Sequence, residues 1–268
     1  MTLGKLFADT LITACKFVIS TLHGFVFKPY VITKRIAGES FRFLIGGPLG
    51  KLWYHTDNEA WNEMAFIRDR MIEPGDVVLE CGGHHGCSAI LLSRWVGDSG
   101  KVVTFEPIKL NTQIIEKNIE LNGISNISVE CRAVGAESGI IRVSRTSCAS
   151  IITNRIAGRQ VEVINLDSFL HLKPTFIKID VEGFEIQVLR GAHGILSSLP
   201  KLAIEIHTEM LQDYGTSVQE LFSMIDLNAY DCWVQWSDDE YPVPFDRNRI
   251  ITERVHFFAL PKSAAKPA

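Results

Sequence analysis

The sequence predicts an α/β protein in which a mostly parallel sheet carries helices on both faces and ends in an antiparallel strand. Short apolar runs alternate with helical stretches from residue 77 onward, a glycine-rich turn joins the first run to the first helix, and no helix separates the last two strand-like runs. With 268 residues, 46% of them hydrophobic, the chain can bury one substantial core. The expected organisation is a lead-in over residues 1–73 (amphipathic helix, hairpin and helix), a sheet domain over 74–261 and a loose tail over 262–268.

Residues 3–27 are mostly apolar, but Lys5, Asp9, Thr13, Lys16, Ser20 and His23 recur at steps of four and three and draw a polar stripe along a helix. Asp9 and Lys16 interrupt the run of about 18 apolar residues that a membrane span needs. The wide apolar face of this amphipathic helix suits packing on its own domain or on a second subunit, or peripheral attachment to a membrane. Gly24 and Pro29 end it. Ser40 to Tyr54 alternates around Gly46-Gly47-Pro48 and predicts a hairpin there, and Trp61 to Met71 reads as a helix that Pro74-Gly75-Asp76 breaks.

The alternation then begins: strand Val77 to Cys81, helix Cys87 to Val96, strand Lys101 to Glu106, helix Leu110 to Leu121, strand Ile127 to Val134. Residues 139–165 break the rhythm with Ile140 to Val143, a Ser/Thr/Arg-rich stretch and Val161 to Ile164, which read as an insertion over the site. The rhythm resumes with strand Phe176 to Val181, helix Phe184 to Leu196, strand Leu202 to His207 and helix Val218 to Leu227. Tyr230 to Trp236 and Arg254 to Leu260 have no crossover helix between them, so they are expected as antiparallel neighbours.

A net charge of −4 argues against a phosphate-tracking surface, so no nucleic-acid partner is expected. The six cysteines form no C-x-x-C pair and read as reduced, mostly buried thiols of a cytoplasmic protein. Cys81 and Cys87 flank His84-His85 without a recognised zinc spacing, and no metal is expected there, since adjacent histidines on a tight turn should diverge.

Glu80-Cys81-Gly82-Gly83-His84-His85-Gly86 ends the first strand, and Phe105-Glu106-Pro107 ends the second. A dinucleotide fingerprint needs G-x-G-x-x-G beneath a pyrophosphate, but His84 stands where its second glycine would be. The acid-x-G-x-x-x-G form suits a ligand with an amino acid and a ribose but no pyrophosphate, which points to S-adenosylmethionine. The terminal antiparallel strand agrees, because it matches the class I methyltransferase Rossmann-like sheet, whereas dinucleotide dehydrogenases continue the parallel winding.

With these pieces in order, the sequence resembles the FkbM family of S-adenosylmethionine-dependent methyltransferases over roughly Glu63 to His207. Pro74 to Glu80 with Gly82 and Gly86, Phe105-Glu106-Pro107, Leu121-Asn122-Gly123, Leu166 to Leu170, Ile177-Lys178-Ile179-Asp180-Val181-Glu182-Gly183 and Ile204-Glu205-Ile206-His207 are each similar to a family segment. Glu80 replaces the family's usual Asp, and His84-His85 replaces its Asn-hydrophobic pair.

The resemblance implies that Gly82, Gly83, His84 and Gly86 form the cofactor turn and that Glu106, followed by Pro107, accepts the ribose hydroxyls. Glu80 either binds the methionine amino group or holds the loop. Arg132 and Ala133 fall where the architecture places the adenine edge, although Arg132 reads equally as a solvated surface residue. Asp180, Glu182 and His207 end the fourth and fifth strands, at the edge where open α/β sheets bind ligands. His207 is the first choice of general base because its ordinary pKa lies nearest neutrality; Asp180 is the second choice or the orienting group. The plainer reading is that His207 caps its strand and Glu205 supports the loop.

Arg142, Arg145, Arg155 and Arg159 read as a solvated face or as contacts for an anionic acceptor, and His55, His171, His193 and His256 as structural. The function expected is O-methylation of a hydroxyl on a small molecule, sugar or glycan. The alternative is a non-catalytic cofactor-binding module acting as a membrane or partner adaptor; under either reading a homo-oligomer is open, and nicotinamide-dependent oxidation is disfavoured by the glycine spacing and the terminal hairpin.

Overall fold

A computed structural model describes residues 27–55, 61–143 and 158–262. The N-terminal amphipathic helix and the positions Arg145 and Arg155 lie outside the described residues. The first described element is a hairpin of β1 (Tyr30–Ile36) and β2 (Glu39–Ile45). Its turn is Ala37-Gly38, both at positive φ, the geometry that matches strand twist in a two-residue hairpin loop. The hairpin expected around Gly46-Gly47-Pro48 is therefore displaced: Pro48 fixes the first turn of a short helix, α1 (Pro48–Tyr54), where its missing N–H costs nothing. α2 (Asn62–Phe66) continues into a wide π turn, Ile67–Met71.

The sheet domain follows the expected alternation: β3 (Val77–Cys81), α3 (Cys87–Val96), β4 (Lys101–Phe105), α4 (Lys109–Asn122) and β5 (Ile127–Glu130). α4 stops at Gly123, whose φ of 62° supplies the left-handed cap that ends many helices. The run expected to continue to Val134 breaks after Glu130, and β6 (Ala133–Val134) joins β7 (Gly139–Val143) and β8 (Arg159–Ile164) in a separate three-stranded sheet. Then come β9 (Phe176–Ile179), α5 (Glu185–Arg190), α6 (His193–Leu196), β10 (Lys201–Ile206), α7 (Thr208–Asp213), α8 (Val218–Ser223), β11 (Tyr230–Gln235), β12 (Val243–Pro244) and β13 (Val255–Pro261).

The main sheet runs β12-β11-β13-β10-β9-β3-β4-β5, with β5, β4, β3, β9 and β10 parallel and β13 inserted antiparallel between β10 and β11. This is the class I methyltransferase order. The order reverses between β3 and β9, the switch point where ligands of open α/β sheets sit beyond the strand ends.

Neighbouring strand residues serve opposite faces. Leu79, Val103, Ile177 and Ile204 pack with α5, α7 and α8 through Val188, Leu189, Leu211 and Leu221. Val78, Val102, Phe176 and Ala203 pack with α3 and, through Phe41, Phe43, Met64 and Phe66, with the hairpin and α2. Burial on both faces explains why these strands read as continuous apolar runs. Among the described residues the cysteines are free, and no helix is long and apolar enough to cross a membrane.

Candidate active site

β3 delivers Glu80 to the sheet edge with its carboxylate fully buried and, among the described residues, both oxygens without a hydrogen-bond partner. Burial raises its pKa against the pull of the Lys178 charge and of the neighbouring Ser88 and Thr104 hydroxyls. The chain then turns at Gly82 (φ 97°), where a Cβ would stand 1.8 Å from the carbonyl oxygen of Asp180, and at Gly83, where it would stand 2.1 Å from Thr104 Oγ1. Only glycine allows this approach of β3 to its neighbours. Gly86 (φ 84°) opens α3.

Glu106 ends up against the turn: Oε2 accepts from the His84 N–H at 3.0 Å and Oε1 from the Ile108 N–H at 2.8 Å. Burial outweighs these bonds and pushes its carboxyl up to about 8. Asn111 also bonds this carboxylate, and three partners leave its roughly four lone-pair sites room for a hydroxyl donor. These residues fit the expected donor: an orphaned carboxylate for an ammonium group, and a second acid at the turn for a ribose.

The cover of this half is aromatic and neutral. His84 and His85 stack with ring centroids 4.2 Å apart and planes 9° apart, contrary to the divergence expected of them. The Tyr54 hydroxyl lies 2.6 Å from His84 Nδ1, while Asn118 Nδ2 donates to the His85 carbonyl at 3.0 Å. Burial lowers both imidazoles, His84 to about 3 with the help of His85, and His85 to about 4, so neither carries charge at neutral pH.

Across the switch point the chemistry changes. After β9, Val181, Glu182 and Gly183 form a tight turn with left-handed φ at Glu182 (53°) and Gly183 (92°). It brings Glu185, fully buried at the start of α5, to His207 at the end of β10: Oε1 lies 2.7 Å from Nδ1 and also accepts the Gly183 N–H. His207 Nε2 faces Glu205 at 3.5 Å and Glu182 at 3.7 Å. Burial pulls the His207 pKa down, but the Glu185 bond and the charges of Glu205, Glu185 and Asp180 prevail and carry it to about 9. The ring is therefore a cation at neutral pH, which removes the reason given above for choosing it as base.

Asp180 is raised by the burial of its surroundings and by Glu205, although its own side chain is 33% exposed. Lys178 is buried between Glu63 (3.4 Å) and Asp180 (3.8 Å). Burial opposes its charge, yet Glu63, Asp180, Glu80 and Glu205 hold its pKa above the ordinary value. Arg254 pairs with both Glu205 and Asp238, and His256 lies 3.2 Å from Asp238 and 3.8 Å from Glu63.

The structure thus gathers Glu80, Gly82, Gly83, His84, Gly86 and Glu106 on one side and Asp180, Glu182 and His207 on the other, and the Gly82–Asp180 approach joins them. Pro107 follows Glu106, half-buried. Arg132 pairs with Glu130, and Ala133 on the small sheet packs with Val143 and Val161 of the same sheet and with Ile108. Arg142 and Arg159 lie on β7 and β8. His256, read from the sequence as structural, belongs to the charge cluster, and Glu63, Lys178, Glu185 and Arg254 were missed as members. Glu185 had a usable signal: it lies five positions after Asp180, just past a glycine turn. A separate cavity of about 590 Å³, lined by Leu189, His193, Ile225 and Tyr230 among others, lies at the opposite end of the sheet, where β11 begins.

The methyltransferase FkbM domain matches residues 80–232, more than half of the chain. The hexuronic acid methyltransferase AglP of Haloferax volcanii is 23% identical over 179 residues, covering 64% of this chain and 72% of that protein. A protein-L-isoaspartate O-methyltransferase of Thermotoga maritima is 33% identical over 78 residues, and the chain spans only 25% of its length. The crystal structure of a methyltransferase FkbM from Methylobacillus flagellatus KT is similar at a TM-score of 0.46 and 21% identity, covering 69% of this chain and 43% of that one. Strand order supplies the fold and the matched domain the lineage: the chain belongs to the FkbM methyltransferase family.

Proposed function

We propose that this methyltransferase moves the methyl group of S-adenosylmethionine to a hydroxyl of a sugar or glycan. The methyl donor is S-adenosylmethionine, which supplies an electrophilic methyl carbon for in-line displacement. The observation that carries the reading is the contact of the two half-sites: the glycine turn lies so close to Asp180 that a single Cβ on Gly82 would collide with its carbonyl. Whatever lies over the turn is then next to Asp180, Glu182 and His207.

Glu80 offers a carboxylate to the donor's amino group, and Glu106 accepts hydroxyl donors in addition to its backbone bonds. On the other side, Glu182 and Asp180 accept hydrogen bonds from acceptor hydroxyls. His207, held by Glu185, orients the acceptor oxygen; it takes up a hydroxyl proton only after passing its own to the carboxylates that face it. A sugar acceptor is favoured by a surface rich in hydrogen-bond acceptors and by the likeness to AglP, named for a hexuronic acid.

The test is transfer of labelled methyl groups to hexuronic acid and neutral hexose glycosides, followed by mild base. A base-stable methyl ether supports the proposal. A base-labile methyl ester moves the chemistry to a carboxylate, and no transfer despite calorimetric binding of the demethylated cofactor leaves the adaptor alternative.

A further inference from the structure

We propose that Asp180, Glu205 and His207 form a divalent-cation site beside the methyl-donor crevice. One donor atom from each lies within 4.8 Å of the others, a spacing that lets a single ion touch all three. The residues come from the ends of two adjacent parallel strands, so the backbone fixes their separation.

The second observation lies on the imidazole. His207 is only 8% exposed; its Nδ1 is committed to Glu185 at 2.7 Å, while among the described residues Nε2 makes no hydrogen bond and faces Glu205 at 3.5 Å and Glu182 at 3.7 Å. A histidine whose far nitrogen is held by a buried carboxylate is the usual arrangement of a metal ligand, since the outer carboxylate sets the tautomer and makes the inner nitrogen more basic. Glu185 is fully buried, and the same Oε1 that accepts the Gly183 N–H at 3.0 Å holds His207, which ties the ring to the turn after β9.

Charge points the same way. Asp180, Glu182, Glu185 and Glu205 surround the ring, while the permanent cations there are Lys178, shared with Glu63, and Arg254, shared with Asp238. Two carboxylates and an imidazole suit Mn²⁺ among the available divalent ions. Three protein ligands leave coordination positions open for oxygens of water or of an acceptor. The ion's role rests on the acceptor reading above: it would seat acceptor oxygens and let an anionic sugar approach a cluster that otherwise repels it.

The experiment uses the full chain after chelation, titrated with Mn²⁺ by calorimetry and followed by paramagnetic broadening of histidine ring resonances. We expect saturable binding that broadens the His207 signals before those of His193, and about a 10- to 100-fold loss of affinity in Asp180→Asn, Glu205→Gln and His207→Gln. Retained binding of the demethylated cofactor certifies that each variant is folded. The proposal is overturned by wild-type protein that takes up no Mn²⁺, by broadening that spares His207, or by affinity that survives the substitutions in folded variants. Mn²⁺ binding with no methyl transfer to any sugar keeps the ion site and sinks the acceptor reading. Full transfer by chelated protein that binds no ion does the reverse.

Discussion

The two halves of the site sit on neighbouring strands of one sheet and are built on opposite plans. On the donor side, β3, the glycine turn and the end of β4 make a pocket from backbone shape, with two buried carboxylates under a cover of neutral histidines and Tyr54. On the acceptor side, β9, β10 and β13 bring together carboxylates, Lys178, Arg254, His207 and His256. On the proposed reading, a donor that carries its own positive charge needs fit and a few opposite charges, whereas a hydroxyl acceptor that must lose a proton needs a field. Glu80 and Lys178 lie on the border, and the most disruptive change is expected there.

Lys178→Met removes an ammonium shared by Glu63, Asp180, Glu80 and Glu205 and leaves the buried Glu63 and Glu80 without its compensation. Breaking a buried pair from one side typically costs about 3–5 kcal/mol. Chemical denaturation should show a loss of this size, largest at high pH where the acids are ionised. A loss under about 1 kcal/mol, the scale of surface pairs, would mean that the cluster is solvated and that the contrast between the halves is weaker than its burial indicates.

Gly82→Ala attacks the shape of the donor half. The residue would sit at φ 97° with its Cβ against the Asp180 carbonyl, so strain and displacement act together. A strained non-glycine backbone costs about 1–3 kcal/mol, and here the turn must also move away from β9. Calorimetry should show loss of cofactor binding beyond the loss of stability. If binding survives, the turn is not what shapes the pocket.

Donor-side residues were legible in the sequence because they are local: acid, glycines and helix start occupy a few consecutive positions, and Glu106 ends the next strand. The acceptor side was legible only where strands end, at Asp180, Glu182 and His207. Glu63 arrives from the lead-in, on α2, Arg254 from the residue just before β13 and His256 from β13, and no spacing links them to β9; only the sheet order does. The hairpin was misplaced because Gly46-Gly47-Pro48 is rich in turn residues, while the true turn, Ala37-Gly38, carries one glycine and a non-glycine residue at positive φ. The stacked histidines were misread because tertiary packing by Tyr54, not the turn alone, aligns the rings.

The charge on Glu106 gives a subtler test of the donor half. Its carboxyl is raised to about 8, so below that pH most of the unliganded protein holds it protonated. Ribose hydroxyls donate to the charged form, and binding therefore releases a proton. Affinity for the demethylated cofactor should rise by up to about tenfold per pH unit below about 8 and level off above it. Glu106→Gln should flatten that slope and weaken binding at high pH by about tenfold, the worth of one charge-assisted bond. An unchanged slope in the variant would assign the linked proton to another group.

Arg132 gives the smallest effect and the finest division between the halves. Its guanidinium lies on Glu130, with both side chains about a third exposed, in a pair that solvent screens. Exposed pairs contribute roughly 0–1 kcal/mol, so Arg132→Ala should barely move the denaturation midpoint. If the guanidinium stays on Glu130 when the donor binds, cofactor affinity should move as little, and recognition of the adenine edge falls to the backbone and apolar groups around it. A drop of tenfold or more would instead show that Arg132 leaves Glu130 for the ligand. The donor half would then have one charged contact at its rim, and its contrast with the acceptor half would hold only for the buried floor.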